Sequence, residues 1–200
     1  MNKSKLFLLF TIVAMIAIGC KEESVQTPKP RSFPRVVYPE KNYVQFDTSF
    51  CEFTFEYPDY ATIVQDTSFF GEKPEDACWF NIYVPQFQSL IFCTYYPLGK
   101  KNSLNKVIND AYKLAGVHNK KASFIDEIPV NRPDHVSGTI FDIEGPVAST
   151  YQFFLTDSTT HFLRGALYFN VRTNQDSLAP VIEFMKKDVQ HMISTFKWKK

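Results

Sequence analysis

A hydrolytic centre needs a nucleophile, a base and an acid that orients the base, and Asp157, Ser158 and His161 supply those types within TDSTTHFLRG. Three such residues inside five positions of a tight turn rarely converge on one centre, whereas Asp and Ser are what a hairpin turn selects for its own backbone hydrogen bonds. The segment therefore reads first as a turn, and no GxSxG elbow accompanies it. The four histidines, His118, His135, His161 and His191, stand apart from Cys, Asp and Glu at metal-ligand spacing. HExxH, CxxC and a glycine-rich phosphate loop are all missing, and seven glycines leave little material for such a loop. Neither a metal, a cofactor nor an enzymatic activity is expected from these patterns.

Two further residue types carry possible chemistry. Arg164 stands in the strongly apolar run HFLRGALYF, so its charge must reach the sheet edge or meet an acid, with Asp142, Glu144 and Asp157 as candidate partners. A structural ion pair is the first reading and a ligand-binding arginine the second. Beyond Cys20, the cysteines are Cys51, Cys78 and Cys93. Cys51 opens CEFTFEYP and Cys78 opens CWFNIYVP, two aromatic-alternating runs expected to pair within one sheet. A Cys51 to Cys78 disulfide is therefore expected, closing 27 positions and contributing roughly 3 kcal/mol by loop entropy. Cys93, inside SLIFCTYYP, reads as a small buried thiol.

The N-terminus has its own chemistry. MNKSKLFLLFTIVAMIAIGC places Lys3 and Lys5 before the run Leu6 to Ile18, in which only Thr11 is polar, and ends on Gly19-Cys20. A bilayer-spanning helix wants roughly 20 apolar residues, and this run has 13 positions. It is a targeting segment in its layout: basic start, short apolar stretch, small residue before the cut. Ala17-Ile18-Gly19-Cys20 resembles the bacterial lipobox, with Ala17 where leucine is usual. That resemblance implies cleavage before Cys20 and acylation of its thiol, palmitate among the chains attached. Each buried methylene contributes about 0.8 kcal/mol, so two or three chains anchor far more firmly than one.

Removing Lys3 and Lys5 leaves twenty basic residues against twenty-one acidic, a net charge of −1 with histidine neutral. No basic excess or stripe points to a nucleic-acid partner. Residues 20–42 carry prolines at 28, 30, 34 and 39 and little apolar periodicity, which predicts an extended tether lifting the rest off the bilayer. Residues 43–200 read as one domain.

The elements that must position these residues are mostly strands. Runs at 51–57, 61–65, 79–84 and 89–96 alternate aromatic or β-branched with polar residues, and Pro58, Pro85 and Pro97 close three of them. Ser103 then looks like a helix N-cap before Leu104, Val107, Ile108, Ala111, Leu114 and Ala115, with Gly116 at the stop. Strands follow at about 122–130, 135–143, 147–156 and 161–171, and a last helix starts near Asp176, with Pro180 in its first turn. Its stripe runs Leu178, Val181, Ile182, Met185, Val189, Met192, Ile193 and Phe196. Aromatics make up 16% of the chain, a payload for a sheet core and, on the functional reading, material for a glycan-binding or lipid-binding surface.

Hairpin-length connections predict an α+β fold, a largely antiparallel sheet flanked by two main helices in an α/β/α sandwich. That arrangement resembles the fold of the photosystem II extrinsic protein PsbP and its relatives. Such folds host many functions.

PKPRSFPRVVYPEKNY, CEFTFEYPDYA, CWFNIYVP, ASTYQFFLTDSTTHFLRGALYFNV, DSLAPVIEFMKKDV and the terminal KW together resemble the gliding-motility lipoprotein GldD family of Bacteroidota. The resemblance implies a non-enzymatic envelope lipoprotein, accessory to gliding motility and to the type IX secretion system and acting through contacts with the proteins of that machinery. It implies membrane attachment through the N-terminal lipid, at the outer membrane facing the periplasm. Lys21-Glu22-Glu23 is similar to an acidic export signal and offers the cell surface as the alternative location.

Overall fold

The computed structural model describes residues 35–67, 74–170 and 175–199. The signal segment 1–19, Cys20 and the tether as far as Pro34 lie outside the described residues.

The alternating runs form strands because successive side chains point to opposite sheet faces, so one face can be apolar throughout. In order they are β1 (Tyr43–Phe46), β2 (Phe53–Pro58), β3 (Thr62–Gln65), β4 (Phe80–Val84) and β5 (Ser89–Pro97). Pro58 and Pro97 are the last residues of β2 and β5, and Pro85 follows β4 directly, since proline has no amide to continue a ladder. Helix α1 (Leu104–Gly116) comes next, followed by β6 (Phe124–Arg132), β7 (Val136–Glu144), β8 (Ser149–Thr156) and β9 (His161–Phe169). Helix α2 (Gln175–Thr195) and the short β10 (Lys197–Trp198) close the chain.

Seven strands build one antiparallel sheet in the order β3-β4-β5-β9-β8-β7-β6. Helix α1 packs on one face, where Val107, Ala111 and Ala115 meet Phe141, Ile143, Phe154 and Phe162. The other face carries α2 and a separate three-stranded sheet, β1-β2-β10. The fold is α+β with a largely antiparallel sheet and two main helices.

The small sheet corrects one expectation. CEFTFEYP and CWFNIYVP do not pair within one sheet: β2 lies between β1 and β10, while β4 lies between β3 and β5. Period-two alternation says which side chains share a face but not which strand supplies the hydrogen bonds. The two runs meet face to face instead, with the Phe55 and Phe80 rings stacked at 5.9 Å and Phe46 stacked on both, at 4.5 and 5.1 Å. Offset stacking of this kind adds to the burial of three rings that water no longer touches.

Helix ends differ in detail from the sequence reading. Ser103 occupies the N-cap position in extended geometry, but its side chain makes no capping hydrogen bond. Gly116 stays right-handed at φ −65° and leads into a 3-10 turn, Val117–Lys120, rather than stopping the helix through a left-handed residue. Helix α2 begins at Gln175, so Pro180 falls in its second turn. Its C-terminal end is held by Arg132, whose Nη1 donates to the Ile193 carbonyl at 2.7 Å, a cation placed where the helix dipole favours it. Among the described residues no helix is long and apolar enough to cross a membrane.

Gly165 shows how tightly the layers close. It lies opposite Cys93 on one side and Phe153 on the other, and a Cβ there would overlap the Phe153 ring. Gly165→Ala is expected to lower the unfolding free energy by about 2 kcal/mol through overpacking. Urea unfolding checks this, and a variant as stable as the parent would show that Phe153 can turn away.

Candidate functional site

The Asp157, Ser158 and His161 cluster is a turn. Asp157 Oδ1 accepts the backbone amides of Thr159, Thr160 and His161 at 3.0, 2.8 and 2.8 Å, and its Oδ2 accepts the Thr159 hydroxyl at 2.9 Å. Ser158 takes the left-handed φ of 69° that the turn demands. The His161 ring faces the other way: Nδ1 is 2.6 Å from the Tyr95 hydroxyl, and the ring stacks on Trp198. Burial pushes the Tyr95 hydroxyl up to about 12, so this partner stays neutral. Acid, hydroxyl and imidazole share no centre.

This arrangement has a pH signature. Partial burial raises the Asp157 carboxyl, but the amides of His161, Thr160 and Thr159 outweigh it and hold the group down at about 2, against an ordinary 3.8. A carboxylate depressed on folding adds stability above its unfolded pKa and loses it as pH falls through the folded one. Discounted for solvent screening, the effect is about 1 kcal/mol. Asp157→Asn is expected to be that much less stable at pH 7 and to lose less stability between pH 4 and pH 2. Acid-limb unfolding curves that superimpose would reject the assignment.

Arg164 reaches an amide. Its Nη2 donates to Gln152 Oε1 at 2.7 Å, and no carboxylate among the described residues comes within 4.0 Å of the guanidinium. The acids named from sequence are placed elsewhere: Asp142 pairs with Lys186 at 2.7 Å, Asp157 holds its turn, and Glu144 is exposed. Burial lowers the Arg164 pKa, opposed by Tyr168 and Tyr96. The guanidinium remains a cation all the same, because an arginine is not deprotonated in a protein.

Arg164 lies in the floor of a groove. The α1 side of β5 presents Leu90, Phe92, Thr94 and Tyr96, opposite Tyr168, Ala166, Arg164 and Phe162 of β9. Helix α1 covers the Phe162 end. Beyond it a groove of about 540 Å³ opens, walled by Trp79 and Leu114, and among the described residues Arg164 is the charged one in its lining. A smaller cleft of about 170 Å³ adjoins it under α1, sharing Tyr96, Leu114 and Arg164 and bordered by Glu75, Lys106 and Asp110. Sequence singled out Arg164, but the side chains around it come from β5, β9, Trp79 just before β4, and Leu114 of α1.

Asp188 was not legible as special, sitting in KKDVQ like a solvated charge. It is 1% exposed and accepts hydrogen bonds from Lys41 Nζ at 2.5 Å, the Tyr43 hydroxyl at 3.0 Å and the Tyr60 hydroxyl at 2.5 Å. Burial and the Asp188 carboxylate raise both tyrosines, so they serve as neutral donors. The signal was spacing: Asp188 falls three residues after Met185 and four before Met192, on the buried stripe. Next to it His191 Nε2 lies 2.7 Å from Glu56 Oε2 under the stacked Tyr43 ring. These contacts fasten β1 and β2 to α2.

Cys51 and Cys78 form a disulfide across the two sheets, with Cα atoms 5.1 Å apart. Cys93 is a free, fully buried thiol, and burial pushes its pKa up. Among the described residues no group of three or more His, Cys, Asp or Glu side chains is arranged to hold a metal. Cys20 lies outside the described residues.

Comparison with known proteins bears on the whole chain. No curated protein sequence matches it. The solution structure of cyanobacterial PsbP (CyanoP) from Synechocystis sp. PCC 6803 is similar at a TM-score of 0.47 and 10% identity, covering 80% of this chain and 94% of that one. The family model described as gliding motility lipoprotein GldD matches residues 23–198. That span takes in every strand and helix described above, and the chain belongs to the GldD family of gliding motility lipoproteins.

Proposed function

We propose that this gliding motility lipoprotein supports both surface gliding and type IX secretion by contacting proteins of that envelope machinery, without turning over a substrate. The family match over residues 23–198 carries the reading. In support, the residue types that suggested hydrolysis are engaged in holding a turn and a ring stack rather than meeting in a pocket. Acyl chains on Cys20 hold the protein at the outer membrane facing the periplasm, residues 20–42 act as a tether, and residues 43–200 form the folded body that meets its partners. Two or three chains supply a durable anchor where one would be marginal.

Clean deletion tests this, with colony spreading, adhesin display and secretion of type IX cargo as readouts. All three are expected to fall, with restoration by the parent gene and not by Cys20→Ala. Unchanged spreading and secretion in the deletion strain would overturn the reading.

A further inference from the structure

The last part of the tether proposed above is docked on the domain. Residues 35–41 reach α2 and the 3-10 turn Pro85–Phe87 that follows β4, and none of the seven is buried. Gln86 Nε2 donates to the Val37 carbonyl at 2.5 Å, and the Tyr38 ring packs on Phe184 and Phe87 at 4.8 and 5.9 Å. Lys41 Nζ lies 3.7 Å above the Phe184 ring while donating to the Phe184 carbonyl at 3.1 Å and to Asp188. The segment makes no ladder: β2 ends at Pro58, opposite Tyr43, and Pro39 has no amide to donate. Its grip on the domain is therefore one side-chain amide, one ring and one ammonium.

We infer that residues 35–41 are a releasable strap, which gives the tether two working lengths. A segment held at the surface by a few side chains opens at a far lower free energy than the sheets it lies on. Release does not strand Asp188. Lys41 goes out to water from a position already 26% exposed, while the hydroxyls of Tyr43 and Tyr60 stay on the carboxylate at 3.0 and 2.5 Å. Tyr43 holds its place because β1 is paired with β2 from that residue on and its ring stacks on His191 at 3.5 Å. Asn42 is thus the hinge, its carbonyl still accepting the Asp59 amide at 2.9 Å. Seven residues at roughly 3.3–3.6 Å each add up to about 25 Å of reach. A pull along the tether favours the long form by the work done over that distance, and slack restores the short one. The gain in reach rests on the lipid attachment at Cys20 proposed above, whereas the docking of the strap does not.

A lysine-specific endoproteinase reads the strap directly, since it must take the Lys41 side chain off Asp188 before it can cut there. The purified full chain is digested across urea concentrations below the unfolding midpoint. Initial rates are followed by mass at Lys41, at Lys101, whose side chain is 74% exposed, and at Lys186, whose side chain is 12% exposed. Cutting at Lys41 is expected to be about a hundredfold faster than at Lys186, slower than at Lys101, and nearly indifferent to urea, because opening a strap exposes little surface. The product that begins at Asn42 is expected to keep its near-ultraviolet circular dichroism. Tyr38→Ala, at a ring 37% exposed, is expected to raise the Lys41 rate about tenfold and to leave the Lys186 rate unchanged. A Lys41 rate equal to that at Lys101 would show the strap undocked, and one that follows Lys186 with the same urea dependence would make it part of the core. Either result, an unfolded clipped product, or a Tyr38→Ala variant cut like the parent overturns the inference. The assay needs no motile cell, so a strap that fails and a deletion without phenotype are told apart.

Discussion

Asp188→Ala is expected to lower the unfolding free energy by about 3 kcal/mol, the largest effect of any single substitution considered for this domain. The carboxylate is inaccessible, and three donors from three segments converge on it: Lys41 before β1, Tyr43 at the start of β1 and Tyr60 after β2. Removing one partner of a buried pair costs about 3–5 kcal/mol when the survivor is stranded. Lys41 keeps 26% of its side chain exposed and can turn to water, which places the estimate at the lower end. The two tyrosine hydroxyls lose their acceptor as well. Asp188→Asn keeps acceptor capacity for the hydroxyls and is expected to cost about half as much. For a domain of this size, 3 kcal/mol corresponds to roughly 6–12 °C in melting temperature. A urea-derived unfolding free energy within 1 kcal/mol of the parent for Asp188→Ala would show that the N-terminal segment is held by its rings rather than by this carboxylate.

Loss of the Cys51 to Cys78 bridge is expected to cost nearly as much, about 3 kcal/mol, for a different reason. The bond closes a separation of 27 residues, and its main effect is on the unfolded chain, which regains loop entropy when the link is cut. Replacing both cysteines by alanine leaves no stray thiol. The double variant should lose stability with an increased urea m-value, because an unlinked unfolded chain exposes more surface. Cys93→Ala is the contrast: it deletes one buried sulfur with no cross-link and is expected to cost about 1 kcal/mol with the m-value unchanged. A double variant as stable as the parent, or a Cys93 variant that loses more, would remove the bridge from the account of this fold. The link also has a structural consequence, since it joins the segment leading into β2 of the small sheet to the segment leading into β4 of the large one. The aromatic stack of Phe46, Phe55 and Phe80 lies in the same layer, so both devices hold the two sheets face to face.

How much of this was legible without coordinates depends on the range of the interaction. The strands from β2 to β9 and both helices follow from periodicity, proline placement and turn residues, all properties of short windows. The TDSTT turn is of the same kind: Asp157 bonds amides two to four residues away, so its side-chain chemistry settles its role locally. Family membership was legible too, because runs such as QFFLTDSTTHFLRGALYF have no generic structural reason to recur.

What lay beyond the sequence was the choice among distant partners. Terminal KW became a strand only because β2 offered it an edge, and CEFTFEYP, which supplies β2, paired with β1 and β10 rather than with the sheet of CWFNIYVP. Asp188 became a buried acceptor because Lys41, Tyr43 and Tyr60, 128 to 147 residues away, arrive at the same face of α2. Arg164 met Gln152, not an acid, since antiparallel register put β8 beside β9 with the glutamine on the arginine's face. Periodicity assigns a side chain to a face, and that much is written in neighbouring residues. Which other segment covers the face is decided when the whole chain closes, and there the partners of Asp188, Arg164 and the two sheets were fixed.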